Sequence, residues 1–250
     1  MIYCNLKGGL GNMLFQIAAT MEFARKHNVD FSFPNLKEHL CYAKNETHFN
    51  PKLKCVNHYE YLFRNLNTIK PNNRIKKINF PFHHVEWEVP KDCMIEGFFQ
   101  SEKYFKQSRK QILSLLAKKT DKINKVAVHI RRGDYLKNPN YHAVLNKEYY
   151  YKAFELFPDY KFLIFSDDIE WCKKSFTGEL FEFYEGKTDL EEILMMSYCE
   201  HNIIANSSFS WWGAWINENK DKKVVAPKKW FGPLARLETK DIYCEDWIKI

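Results

Sequence analysis

Four short, largely apolar runs, VAVHI at 126–130, FLIF at 162–165, NIIA at 202–205 and VVA at 224–226, alternate with stretches of helical character. This alternation constrains the fold more than any other feature of the chain. Runs of this kind suit strands covered on both faces, and strands that alternate with helices assemble into a parallel sheet. Thr188-x-x-Glu191 is a capping-box pattern that opens a helix over 189–199, with Leu190, Ile193, Leu194 and Ser197 on one face, and another helix is expected near Phe209. The beginning of the chain repeats the scheme. Residues 1–6 read as a buried strand, Gly8-Gly9-Leu10-Gly11-Asn12 breaks it, and 13–27 carries helical spacing at Leu14, Ile17, Ala18, Met21 and Ala24. Residues 31–93 show no persistent period and read as loops with short elements. A strand is predicted at 94–99, and Ser101-x-x-Tyr104 leads into a helix ending at Lys118, Lys119 and Lys122.

At 250 residues the chain holds one or two domains. The pattern predicts two α/β halves joined near 121–124, residues 1–122 and 123–250, with a return of the last residues to the first half left open. Two such halves place a cleft between the carboxyl ends of their sheets, the usual ligand position in open α/β folds. With 45% hydrophobic and 16% aromatic residues the chain is neither disordered nor collagen-like. Seven scattered cysteines without a CxxC pair read as reduced thiols rather than a zinc knuckle or a disulfide framework. The first residues are interrupted by three glycines and Asn12, unlike a signal peptide, and the longest uncharged run, 201–217, carries three asparagines and three serines, unlike a membrane span. A soluble, cytoplasmic protein is expected, with the sequons at Asn45 and Asn206 arising by chance.

The net charge of +7 is unevenly spread: residues 1–125 hold 21 Lys+Arg against 11 Asp+Glu, and residues 126–250 hold 17 against 20. No RNA- or DNA-binding motif accompanies the basic half, so no nucleic-acid partner is expected. Chemistry is better sought at strand ends. HIRRGDY at 129–135 closes an apolar strand with a histidine, two arginines, a glycine turn and an acid. Strand alternation puts His129 and Arg131 on one face and Arg132 on the other unless the turn begins early. An arginine there offers a planar fork of donors suited to a phosphate, and Asp134 could orient it or act as a base. An internal Arg–Asp ion pair explains RRGD equally well. Asn206-Ser207-Ser208 leads from a buried strand into a helix, where small polar residues both cap and leave N–H groups and hydroxyls for a pyrophosphate. Trp211, Trp212 and Trp215 serve core packing or ligand contact equally well. Gly9-x-Gly11-Asn12 begins like a dinucleotide fingerprint, but Leu14 replaces the third glycine, and no P-loop is present. Asp167 and Asp168, after the strand at 162–165, fit a helix cap, a ribose contact or a metal site, the cap being favoured.

Together HIRRGDY at 129–135, FSDD at 165–168, DLEEILMMSYCEHNIIANSSFSWWGAWI at 189–216, GGLGNMLFQ at 8–16 and GFFQSEKYF at 97–105 resemble the α-1,2-fucosyltransferases, the galactoside fucosyltransferases of glycosyltransferase family 11. The resemblance spans nearly the whole chain, while 35–90 carries no motif. It implies an α/β, GT-B-like enzyme, two Rossmann-type domains facing across a cleft, that inverts GDP-β-L-fucose onto the 2-hydroxyl of a terminal galactose without a metal or other cofactor. By the resemblance 1–122 is the acceptor-side domain and 123–250 binds the GDP-sugar. His129 then lies against the guanosine, Arg131 grips the β-phosphate, Asp189 accepts guanine N–H bonds, and Ser207, Ser208 and Phe209 cradle the phosphates beside Arg132 and Asn206. Gly9, Gly11 and Asn12 approach the donor, and Asp167 and Asp168 match the family's acidic pair.

Arg131 is the expected catalytic cation, because a fixed charge at the leaving phosphate acts on the transition state more than on the ground state. Asp134 is the first candidate base, with Glu96 and Glu102 weaker ones; with Gln100 these two form the acceptor-side set. Competing readings are transfer of another GDP-sugar or to another acceptor, a metal-dependent transferase using Asp167 and Asp168, and a non-catalytic nucleotide- or glycan-binding module. The basic first half leaves peripheral membrane association or an anionic acceptor open, and the sequence does not fix the oligomeric state.

Overall fold

The computed structural model describes residues 1–38, 63–116, 121–186 and 188–250. Asn45, Cys41, Cys55 and the helix end at Lys118 and Lys119 lie outside the described residues. The chain divides into two units, Met1–Leu116 with Glu238–Cys244, and Ala117–Leu237 with Glu245–Ile250.

In the first unit, β1 (Ile2–Cys4), β2 (Phe31–Ser32), β3 (Lys77–Asn79) and β4 (Cys93–Glu96) form a parallel sheet in the order β2-β1-β4-β3. Helix α1 (Leu10–His27) follows β1 and starts earlier than the apolar spacing predicts, with Gly9 as its extended N-cap. Asn28 ends it in the left-handed region at φ 51°, and Arg25, Lys26 and His27 face the negative helix terminus. Strand β4 stops at Glu96 rather than Phe99. Phe99 turns the chain with φ 52°, a conformation costing about 1–2 kcal/mol in a non-glycine residue. Its buried ring is held by Phe80 and Tyr104, 5.1 and 5.3 Å away between centroids. The helix predicted from Ser101 is broken into two 3-10 turns, Glu102–Tyr104 and Lys106–Ser108, before α2 (Arg109–Leu116). The segment Glu238–Cys244 joins this unit through Asp241, whose buried carboxylate accepts from Lys103 Nζ at 2.6 Å and from the His84 N–H at 3.1 Å.

The second unit alternates β5 (Ile123–Ile130), α3 (Lys147–Phe154), β6 (Phe162–Ser166), α4 (Ile169–Ser175), β7 (Phe181–Phe183), α5 (Asp189–Tyr198), β8 (Cys199–Ile203), α6 (Ser208–Trp215), β9 (Val224–Ala226) and β10 (Ile248–Lys249). Its parallel sheet runs β10-β9-β8-β5-β6-β7. Counted from β5 as the first strand, that order reverses direction between β5 and β8, as in doubly wound sheets. The apolar face of β5, Val126, Val128 and Ile130, packs against Tyr150, Ala153, Phe157 and Ile164 in a fully buried core. Thr188 caps α5, its Oγ1 accepting from the Glu191 N–H at 3.1 Å, as the capping box predicts. Trp211, Trp212 and Trp215 are buried and cluster with Trp247, so they are core packing. Gly213 lets α6 sit on α5: a Cβ there would lie 2.9 Å from Met196 Cβ.

Cys4, Cys93, Cys172, Cys199 and Cys244 are free and buried. Among the described residues no helix is long and apolar enough to cross a membrane.

Candidate functional site

The register of the second sheet sets His129 beside Phe165, Ile130 beside Ser166 and Val128 beside Ile203. The segments after β5, β6 and β8 therefore leave the same edge at the strand-order reversal, where open α/β sheets hold their ligands. Strand β5 ends at Ile130, so Arg131 and Arg132 both belong to the turn, and the face alternation expected for them does not apply.

Arg131 is clamped from two sides. Its Nη2 donates to Asp134 Oδ1 at 2.6 Å, its Nη1 lies 3.1 Å from Asp167 Oδ2, and its guanidinium carbon stands 5.4 Å from the Tyr135 ring centroid. The internal ion pair is thus present, and it fixes the guanidinium expected to meet phosphate. Arg132 is engaged otherwise: its Nε pairs with Asp168 Oδ2 at 3.1 Å and its guanidinium lies 3.7 Å from the Trp171 ring centroid. Asp168 also caps α4 by accepting from the Trp171 N–H, so its place is that of the favoured cap. Asp167 accepts from the Arg132 N–H through Oδ1 at 2.9 Å. Both carboxylates thus face guanidinium groups, and among the described residues no group of three or more His, Cys, Asp or Glu is gathered as a metal could require.

Beside the arginines, His129 is 4% exposed, its ring 5.4 Å from Phe209, and its Nδ1 has no hydrogen-bond partner. Burial, reinforced by the Arg131 charge, pushes its pKa down to about 3, so the imidazole is neutral. Asn206 is equally buried. Its Nδ2 donates to the carbonyls of Ala143 at 2.8 Å and Trp230 at 2.7 Å, leaving Oδ1 without a partner. An amide held this way is inaccessible to glycosylation, whatever its sequon. Buried polar atoms without partners cost about 1–3 kcal/mol each. Ser207 is the N-cap of α6, its Oγ accepting from the Phe209 N–H at 3.3 Å, and Ser208 opens the helix at its positive end.

Asp189 begins α5 and accepts from the Leu190 N–H at 2.8 Å; burial pushes its pKa up to about 7. Glu192, one turn on, lies within the DLEEIL segment but is not among the candidates read from the sequence. Burial, then Asp189 and Asp167, push its carboxyl up to about 8. The i, i+3 spacing from Asp189 is the signal that points to it.

In the first unit, the loops after neighbouring strands β1 and β4 meet. Gln100 Nε2 donates to Asn12 Oδ1 at 2.7 Å, joining GGLGN to GFFQ. Gly9 caps α1 and Gly11 and Asn12 form its first turn. Gly8 takes φ +79°, which a side chain resists. Gln16, not a candidate from sequence, holds this loop: its amide accepts from the Lys7 N–H at 2.8 Å and donates to the Lys7 carbonyl at 3.0 Å. A glutamine amid the apolar residues of α1 is the signal that points to it. Glu96 lies 3.3 Å from Lys7 Nζ, whereas Glu102 sits in a 3-10 turn paired with Lys106 at 3.4 Å.

Residues 53–250 match the family model described as Glycosyl transferase family 11. Over its whole length the chain is 28% identical to the O-antigen biosynthesis glycosyltransferase WbnK of Escherichia coli, covering all of that protein. It is 29% identical to an alpha-1,2-colitosyltransferase of the same organism, covering all of this chain and 98% of the other. A third relative, the galactoside 2-alpha-L-fucosyltransferase Sec1 of Mus musculus, is 24% identical over 58% of this chain and 43% of its own length. The family match takes in every element of the second unit, from the guanidinium clamp after β5 to the capped start of α6, and on it the chain belongs to glycosyltransferase family 11.

Proposed function

We propose that the chain is an inverting transferase that moves L-fucose from GDP-β-L-fucose to the 2-hydroxyl of a terminal galactose, forming an α-1,2 linkage without a metal. The observation that carries the reading is the convergence, at the β5/β8 reversal, of a neutral buried imidazole with an unpartnered Nδ1, a clamped guanidinium and the capped start of α6.

In this reading His129 and Asp189 meet the guanosine. A base N–H directed at Asp189 favours its ionised form, so nucleotide binding draws a proton off a carboxyl poised near pH 7. The diphosphate lies at the start of α6, against Ser207, Ser208 and Phe209. As the fucosyl–phosphate bond breaks, negative charge grows on the β-phosphate and positive charge on the sugar ring. Arg131 stabilises the former: a guanidinium has five N–H donors, and two carboxylate contacts do not exhaust them. Because Asp134 and Asp167 hold the group in place beforehand, little reorganisation is needed at the moment of transfer.

The acceptor hydroxyl must lose its proton. Asp134, Glu96 and Glu102 are each paired with a cation, Arg131, Lys7 and Lys106 respectively. That pairing favours a path in which the sugar–phosphate bond is largely broken before the hydroxyl attacks, with proton loss late and little demand on a base. Gln100 and Glu96 are assigned to the acceptor side.

Transfer of colitose from its GDP-linked donor is the second reading, favoured by the full-length similarity to an alpha-1,2-colitosyltransferase. A panel of GDP-sugars against galactose-terminated acceptors, with GDP release followed and the product linkage read by NMR, separates the two. Fucosyl transfer in the presence of EDTA with an α-1,2 product is expected. Absence of GDP release with every galactoside overturns the activity.

A further inference from the structure

We propose that Asp167 is the positioning residue of Arg131, a carboxylate that holds the guanidinium in place and makes no contact of its own with the donor. The inference rests on the donor-site reading above. Asp134 orients Arg131 from within the same turn, but Asp167 reaches it from the loop after β6 and so ties the ends of two neighbouring strands. Both of its oxygens are engaged. Oδ1 accepts from the Arg132 N–H at 2.9 Å and fixes the turn backbone, while Oδ2 lies 3.1 Å from Arg131 Nη1. With both oxygens directed at the turn, the carboxylate is placed to hold Arg131.

Gly133 supplies an independent mark of the same arrangement. A Cβ built there would come 2.6 Å from Asp167 Oδ2 and 3.2 Å from its Cγ, so the glycine of RRGD is what allows the carboxylate to close over the turn. Its backbone is not in the left-handed region, so close approach rather than φ accounts for the glycine. On the far side, Arg132 is drawn off to Asp168 and Trp171, which leaves Arg131 as the guanidinium aligned by Asp167. A catalytic cation displaced by about 1 Å can cost on the order of 10²-fold in rate, so a carboxylate that sets its position has leverage without touching substrate.

The test is a double-mutant cycle between Asp167→Asn and Arg131→Ala, with kcat and donor KM measured separately. It is run with whichever nucleotide-sugar donor the wild-type protein turns over, so failure of GDP-fucose as donor counts against the donor assignment and leaves this cycle intact. Asp167→Asn is expected to lower kcat by about 10–100-fold with donor KM little changed. In the Arg131→Ala background the same change is expected to have no further effect. Gly133→Ala, which displaces the carboxylate but keeps its charge, is expected to reproduce the kcat loss, and it takes the place of Asp167→Asn in the cycle if that variant does not fold. A donor lacking the ribose 2′- or 3′-hydroxyl is expected to be slowed by Asp167→Asn as much as the parent donor. Independent, multiplying effects of the two substitutions overturn the proposal, as does loss of the Asp167→Asn effect with the deoxyribose donor, which would make Asp167 a ribose contact.

Discussion

The Tyr135 hydroxyl donates to the carbonyl oxygen of Asn206 at 3.0 Å, tying the turn after β5 to the residue that leads into α6. The Tyr135 ring is also stacked on His142, 4.4 Å between centroids at 13°. Tyr135→Phe keeps the stacking and removes the tie. It is expected to lower stability by about 0.5–1.5 kcal/mol, seen as a lower urea midpoint at unchanged slope. An unchanged midpoint would show that the tie carries no weight.

Arg131→Ala leaves Asp134 and Asp167 facing each other without their shared cation. Transfer is expected to fall by about 10²–10³-fold while the circular dichroism of the folded protein is retained. Arg131→Lys should recover little, because a single ammonium cannot satisfy two carboxylates and a phosphate with the geometry of a planar fork. Near-normal turnover in either variant would remove Arg131 from its role.

At His129 function and stability pull in opposite directions. A neutral imidazole with an unpartnered buried nitrogen is a cost that the donor would relieve. His129→Leu, close in volume, is expected to raise the stability of the free protein by about 1 kcal/mol and to weaken GDP binding about tenfold. Calorimetric titration with GDP and urea unfolding of the same samples check both signs; losses in both would make His129 a purely structural residue.

The acid pair on α5 gives the free protein a pH dependence of definite sign. Asp189 and Glu192 have carboxyl pKa values raised in the folded state to about 7 and about 8, from ordinary values of 3.8 and 4.5. Between those limits the folded state binds more protons than the unfolded one. Their contribution is therefore fully present below about pH 4 and lost as pH rises through 7 to 8. Glu192→Gln should stabilise the protein near pH 8 and do little near pH 5, as read from urea midpoints at the two pH values. An equal effect at both would show that Glu192 is ionised throughout.

Where local chemistry alone decides the structure, the sequence is informative. The Thr188 cap, the α6 start at Ser207 and Ser208, and the parallel alternation of strands all follow from patterns a few residues long. What cannot be read are decisions taken by distant partners. Phe99 turns the chain after β4 because an aromatic cluster built from Phe23, Phe80 and Tyr104 holds it in a backbone region its own identity disfavours. Arg131 and Arg132 look interchangeable in RRGD, and only Asp167 on one side and Asp168 with Trp171 on the other give them separate places. Glu192 and Gln16 escape a reading of the sequence for the same reason: a polar residue on an amphipathic helix becomes informative once its burial is known.

The anchoring of Asp241 by Lys103 and by the His84 N–H bears on how genes of this kind can recombine. Because Glu238–Cys244 belongs to the first unit while the residues on either side of it belong to the second, a single breakpoint after Leu116 separates Asp241 from both of its donors. A chimera that exchanges the first unit with that of a relative needs a second inserted piece, residues 238–244, from the same parent. Positions 84, 103 and 241 are thereby inherited as one block, although more than a hundred residues separate the last from the others.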